Sequence, residues 1–124
     1  MLSFSDILRA LTDTLILAQL AEGDSYGYQI NKLINGLSNG EFELKEATLY
    51  TSFRRLEEKQ LINPYWGDET SGARRRYYAI TDKGRELLEE NRQDWNRIQE
   101  LVEKLMNSNG IGSKEIQSKE IEVI

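Results

Sequence analysis

The segment Glu46-Ala-Thr-Leu-Tyr-Thr-Ser-Phe-Arg-Arg-Leu-Glu-Glu-Lys-Gln60 organises the reading of the whole chain. Its apolar residues Leu49, Phe53 and Leu56 recur at i, i+4 and i+7, which lines them along one side of an α-helix. The opposite side carries Ala47, Thr51 and Arg54, with Thr48 and Arg55 turning to one edge and Tyr50 to the other. Small residues let a helix sit deep in a groove, hydroxyls bond phosphates or bases, and arginine pairs with guanine edges or phosphates. The same face also fits the solvated side of an ordinary amphipathic helix. What decides between them comes next in the chain. Arg74-Arg-Arg-Tyr-Tyr78 sets a basic cluster beside aromatics in what reads as a hairpin. A helix followed by a basic hairpin is the order of a winged helix-turn-helix.

Composition narrows the chemistry. The 124 residues suit one domain with a modest core, extended by a partner chain. With no cysteine there is no disulfide, thiolate nucleophile or zinc–cysteine site, and with no histidine the commonest general base and metal ligand are missing. Neither a metal nor an organic cofactor is expected. No apolar run reaches the ~20 residues of a membrane span, and no signal peptide opens the chain, so a cytoplasmic protein is expected. The net charge of −5 runs against a nucleic-acid binder until its distribution is examined. From Lys45 to Arg85 there are nine Lys+Arg and six Asp+Glu, a local excess of +3, and the acid lies elsewhere. Charge beyond a Debye length of ~8 Å is largely screened.

The N-terminal part reads as three pieces. Ser3 and Asp6 form a helix-start signal, followed by a wide apolar stripe of Ile7, Leu8, Leu11, Leu15 and Ala18 that predicts one helix to about residue 21. Ile16, Leu17 and Leu20 are apolar as well, so the helix either packs against something beyond its own domain core or runs centrally through that core, the latter fitting Leu15 onward better than Ile7 and Leu8. Glu22-Gly-Asp-Ser25 predicts a stop and then an N-cap at Ser25 for a second helix reaching Asn35-Gly36. Gly27 early in that helix costs roughly 1 kcal/mol against alanine, which points to close packing there. Asn39-Gly40 predicts a turn, and Phe42 with Leu44 a short extended piece.

After the Glu46 helix, Leu61 to Trp66 reads as a strand with Pro64 at an edge, Gly67 to Ala73 as the hairpin tip and Arg74 to Ile80 as the return strand. Thr81 caps a last helix over 82–106. Along it Leu88, Asn91, Trp95, Ile98, Val102 and Leu105 step by 3 and 4 in alternation, a narrow heptad seam on an otherwise charged helix. Such a seam predicts a dimerisation helix, with packing inside one chain as the alternative. The domain plan is therefore a winged helix-turn-helix over 1–80, a dimerisation helix over 81–106 and a flexible tail over 107–124. The fold class is mainly α with a small β-hairpin.

Ser25-Tyr-Gly-Tyr28, Glu46-Ala-Thr-Leu-Tyr50, Arg54-Arg-Leu-Glu57, Tyr65-Trp66 and Arg76-Tyr-Tyr78 with Ile80-Thr81 together closely resemble the PadR family of transcriptional regulators. The match spans about residues 5 to 106. A single long C-terminal helix is similar to the family's short subgroup, and the chain most resembles its multidrug-sensing repressors. The resemblance implies a homodimer in which the last helix crosses to the partner's first helix, with Leu8 and Leu11 joining the seam residues at the interface. It also implies a flat aromatic inducer held between the two copies of Trp95, in a channel walled by Asp6, Ile7, Ala10 and Thr14. One turn past Trp95 this chain carries Gln99 where related repressors carry an acidic residue. Lys45 stands where relatives have a Ser or Asn cap, free to meet a DNA phosphate.

The resulting expectation is a repressor of double-stranded operator DNA. Ala47, Thr48, Tyr50, Thr51, Arg54 and Arg55 face the major groove, Lys45 the backbone, and Arg74 and Arg75 neighbouring phosphates or the minor groove. An enzyme would need its carboxylates to converge, and pairs such as Glu90 and Asp94 lie one turn apart on a charged helix face instead. A winged helix serving only as a dimeric protein-binding module is the other alternative, and the acidic net charge favours it.

Overall fold

The computed structural model describes residues 3–68 and 74–108. The expected tail is outside the described residues from 109 onward, and so is the expected hairpin tip between 69 and 73. The elements are α1 (Phe4–Ala10), α2 (Thr12–Glu22), β1 (Ser25–Tyr26), α3 (Gly27–Leu37), α4 (Glu46–Glu58), β2 (Ile62–Trp66), β3 (Arg76–Ile80) and α5 (Asp82–Met106). The chain divides into two compact units, Met1–Glu89 and Glu90–Ile124, and α5 begins in the first and continues into the second.

The first unit starts with the predicted cap. Ser3 Oγ accepts the Asp6 N–H at 3.2 Å while Asp6 accepts the Ser3 N–H at 3.0 Å, a reciprocal capping box. The single long helix expected here is instead two. At Leu11 the backbone leaves helical geometry (φ −99°, ψ 6°), and the Thr12 hydroxyl donates to the Arg9 carbonyl at 2.7 Å. A β-branched hydroxyl residue that bonds nearby backbone offers the chain an alternative to the helical ladder.

Ser25 is also not the cap expected of it. It pairs with Tyr78, and Tyr26 with Tyr77, adding a third antiparallel strand beside the hairpin in the order β1-β3-β2. The two long strands align from Ile62 opposite Ile80 to Trp66 opposite Arg76. Gly27 then opens α3 in close contact with α4. A Cβ there would lie 3.3 Å from the Tyr50 hydroxyl and 3.5 Å from Phe53 Cε2, the close approach the glycine implied.

Two helix ends share one solution. After α3, Asn39 is left-handed (φ 53°), its N–H bonds Gly36 O at 3.1 Å and the Gly40 N–H bonds Asn35 O at 2.8 Å. After α4, Gln60 is left-handed (φ 60°), with Gln60 N–H to Glu57 O and Leu61 N–H to Leu56 O, both 2.9 Å. Both are Schellman closures, each satisfying otherwise open carbonyls, and neither uses glycine at the left-handed position. The connection from α3 to α4 is held by Asn31, whose amide brackets Leu44 by accepting its N–H at 3.0 Å and donating to its carbonyl at 2.7 Å. Phe42 and Leu44 are buried through this loop without forming a strand.

The core gathers Ile16, Leu17 and Leu20 of α2, Ile30 and Ile34 of α3, and Leu49, Phe53 and Leu56 of α4. Phe53 stacks on Tyr78 of β3 with ring centroids 4.1 Å apart, which seats α4 on the sheet. Leu88 completes this core from the first turns of α5. The heptad reading assigned Leu88 to a dimer seam; here it is buried within its own chain. Leu8 likewise packs against the core while remaining partly exposed.

Candidate nucleic-acid interface

The α4 helix has buried Leu49, Phe53 and Leu56 beneath it and exposes Ala47, Tyr50, Thr51 and Arg54, with Thr48 half-buried. The buried stripe follows directly from the 3.6-residue period, and what remains outward is the small, hydroxyl and guanidinium set. Its N-cap is Lys45, exposed and in extended geometry, with no side-chain cap on the first turn. Thr51 Oγ1 donates back to the Ala47 carbonyl at 2.8 Å, and the residue remains exposed. Tyr50 stands edge-on to Phe53, centroids 5.8 Å apart, with its ring half exposed.

Arg55 is differently placed. Its Nε donates to Asp13 Oδ2 at 2.7 Å and its Nη2 to Asp13 Oδ1 at 2.6 Å, while Nη2 also reaches Ser52 Oγ at 3.2 Å. The hydrogen bonds to Asp13, and then the Asp13 charge, raise the Arg55 pKa still further above its ordinary value. Sequence reasoning put Arg55 with the groove-facing residues; the structure turns much of its fork toward α2. Asp13 has no local signal for this role, because its partner lies in another helix.

A cleft of about 270 Å³ opens beside α4, lined by Arg9, Thr12, Ala47, Thr48, Thr51, Ser52 and Arg55. Arg9 is a second residue that sequence reasoning missed. It sits in the last turn of α1, where Nη1 donates to Asp6 Oδ1 at 3.1 Å.

The arginines before and within β3 lie over aromatic rings. Arg74 is 5.7 Å and Arg76 5.9 Å from the centroid of Trp66, and Arg75 is 4.8 Å from that of Tyr26. Arg76 also pairs with Glu57 of α4 at 3.4 Å, so the strand cation is tied to the helix. Cation–π placement holds each guanidinium over its ring. Tyr65 stacks on Tyr77 and donates its hydroxyl to Asp24 at 2.6 Å. That bond, ahead of burial and the Asp24 charge, raises the Tyr65 pKa.

The residues expected at a ligand channel fall in both units. Asp6, Ile7 and Ala10 are on α1 and Thr14 on α2; Ile7 and Ala10 are exposed, and Asp6 is held below the usual carboxylate range chiefly by the Ser3 N–H. Trp95 and Gln99 belong to the second unit and are exposed, as are Ile98, Val102 and Leu105, while Asn91 is half-buried. Leu11 is half-buried at the break between α1 and α2. Among the described residues there is no cluster of metal-ligating side chains and no helix long and apolar enough to cross a membrane.

A core built on α2, α3 and α4, a small antiparallel sheet and the exposed outer side of α4 define a winged helix-turn-helix protein. The chain belongs to the PadR-like family of transcriptional regulators, whose model matches residues 16–90. It is 42% identical over 102 residues to an uncharacterized protein X of Lysinibacillus sphaericus, covering 82% of this chain and 94% of that one. A transcriptional regulator from Clostridium thermocellum has a similar structure, with a TM-score of 0.76 and 40% identity over 83% of this chain and 97% of its own. PadR of Bacillus subtilis, solved in complex with operator DNA, shares the fold at a TM-score of 0.59 and 20% identity, over 64% of this chain and 45% of its own. The family and the Clostridium thermocellum relative are transcription regulators rather than enzymes, in keeping with the expectation that pairs such as Glu90 and Asp94 do not form a catalytic site.

Proposed function

We propose that this chain is a homodimeric repressor that places α4 in the major groove of operator DNA and is released by a planar aromatic ligand at the dimer interface. The observation that carries the DNA reading is the outward face of α4, where Ala47, Thr51 and Arg54 are exposed directly above buried Leu49, Phe53 and Leu56. Thr48, Tyr50 and Thr51 would meet base edges and Arg54 a guanine or phosphate, with Lys45 on the backbone. Arg74 and Arg75 would take neighbouring phosphates from the wing, while Arg55, neutralised by Asp13, would add little charge of its own. The Bacillus subtilis relative with operator DNA is the fold precedent.

The exposed apolar residues Trp95, Ile98, Leu101, Val102, Leu105 and Met106 support dimerisation through α5, with Leu11 and Asn91 at the margin. A planar inducer would stack on Trp95, with Gln99 one turn away and Asp6, Ile7, Ala10 and Thr14 as the channel wall. It could release DNA only by binding one dimer arrangement better than another.

The test is fluorescence anisotropy on the DNA upstream of the gene, over a salt series with a scrambled duplex, followed by selection from random duplexes. A sequence-selective, salt-dependent complex that weakens on Arg54→Ala plus Arg74→Ala is the expected result. No selected duplex would leave a protein-binding module as the better account. Release of the complex by a planar dye, lost in Trp95→Ala, tests the inducer site separately.

A further inference from the structure

We infer that the cleft between the α1–α2 junction and α4 seats a backbone phosphate of bound duplex DNA, with the Arg9 guanidinium as its charged donor. This rests on the DNA-binding reading above and adds a contact outside the recognition helix and the wing. Ala47, Thr48 and Thr51 line the cleft and also belong to the outward side of α4, so the cleft is continuous with the surface presented to DNA. A phosphate flanking the groove-bound helix meets such a surface first.

Three features make the cleft an anion seat. The first turn of α4 has no side-chain cap, so its N–H groups at this end are open to an acceptor, and the helix dipole favours negative charge there. Small Ala47 leaves room for an oxygen to approach. Arg9 contributes a guanidinium whose Nη1 is held in an exposed i,i+3 pair with Asp6 at 3.1 Å. An exposed pair of that kind holds weakly, whereas guanidinium–phosphate bonding is charge-assisted and can be bidentate. The guanidinium has donors to spare for a phosphate beside Asp6.

Acidic groups also face the region. Asp13 is chelated by Arg55 at 2.6 and 2.7 Å, so that pair presents little net charge, and Arg55 lines the cleft. Glu46 lies in the first turn of α4, and Asp6 competes directly for Arg9. The competition with Asp6 gives the inference its sharpest consequence, because removing Asp6 should favour the phosphate.

The experiment measures anisotropy of the full chain on a selected duplex across salt, with thermal melts confirming that each variant is folded. Arg9→Ala is expected to weaken binding and lower the slope of log K against log salt by about 0.9 for each Arg9 engaged, hence about 1.8 for a dimer. Arg9→Lys restores the slope. Asp6→Asn, which keeps an acceptor for the Ser3 N–H, tightens binding. If the Arg9–Asp6 pair only shapes α1, Arg9→Ala and Asp6→Asn weaken binding alike at an unchanged slope, and the inference is overturned while the DNA reading stands. A parent chain forming no salt-dependent complex with any duplex overturns both.

Discussion

The Arg55 guanidinium chelates the Asp13 carboxylate through bonds of 2.6 and 2.7 Å, joining α4 to α2 across 42 residues of chain. Both side chains remain partly exposed, 44% and 32%, so solvent screens much of their attraction. A double-mutant cycle of Asp13→Ala and Arg55→Ala in urea is expected to return a coupling of about 0.5–1 kcal/mol. Additive single effects would mean that the pair does not hold the two helices together.

Two helical glycines should answer the same substitution with opposite signs. At Gly84 a Cβ would overlap the Leu61 carbonyl oxygen and come within 2.7 Å of Ile80 Cγ1, and backbone cannot yield as a flexible side chain can. Gly84→Ala is therefore expected to lose about 1–3 kcal/mol despite alanine's better helix propensity. At Gly36 nothing lies within 4 Å, so Gly36→Ala should gain about 0.5–1 kcal/mol. Urea midpoints read both, and a stable Gly84→Ala would show that α5 does not seat on Leu61 as described.

Stability should be indifferent to pH through neutrality and fall at the alkaline end. The chain has no histidine or cysteine to titrate between the carboxylates and the tyrosines. Tyr78 is pushed up by burial first and by the Glu57 charge next, and Tyr65 by its bond to Asp24. A folded pKa above the unfolded value of about 10 means full stability below that pH, lost as pH rises through the folded value. Tyr78→Phe should flatten this alkaline decline in the urea midpoint, and an unchanged decline would rule Tyr78 out as its source. Asp6 works in the opposite sense. Its lowered pKa supports the α1 cap above about 3.9, and that support is lost as pH falls through the folded value.

The later turns of α5 carry the quaternary prediction. Ile98 and Val102 are exposed on one side of the helix, one turn apart. Ile98→Asp with Val102→Asp should convert a dimer to monomer, weakening association by about 100-fold or more because each unpaired buried carboxylate costs several kcal/mol. Sedimentation equilibrium reads the change. A parent chain that is already monomeric at micromolar concentration would remove the dimer from the proposal.

Local periodicity and local capping make much of the fold legible in the residues alone. The stripe of Leu49, Phe53 and Leu56, the Ser3–Asp6 box and the Thr81 cap, whose Oγ1 accepts the Gly84 N–H at 3.0 Å, all act within a few residues. They place α4, the start of α1 and the start of α5. The hairpin is legible because Tyr77 and Tyr78 alternate between faces, which a strand requires.

Elsewhere the deciding contact is distant. A two-residue strand such as Ser25–Tyr26 has no period, and only pairing with Tyr77 and Tyr78 makes it a strand. The heptad step includes Leu88, yet Leu88 meets the same core as Ile62 and Phe53 within its own chain. The exposed set on α4 follows from its period. The withdrawal of Arg55 toward Asp13 does not.

By itself the sequence determined which residues form helices and hairpin and which side of α4 is apolar, because those choices are settled by side chains within one or two turns of each other. Only the tertiary structure decided that α1 and α2 separate at Leu11, that Asp13 holds Arg55, and that Arg9 lines a cleft with Ala47 and Thr51. The Asp13–Arg55 contact and the cleft shared by Arg9 and α4 join segments tens of residues apart, and their geometry exists only once the shared core has brought the helices together.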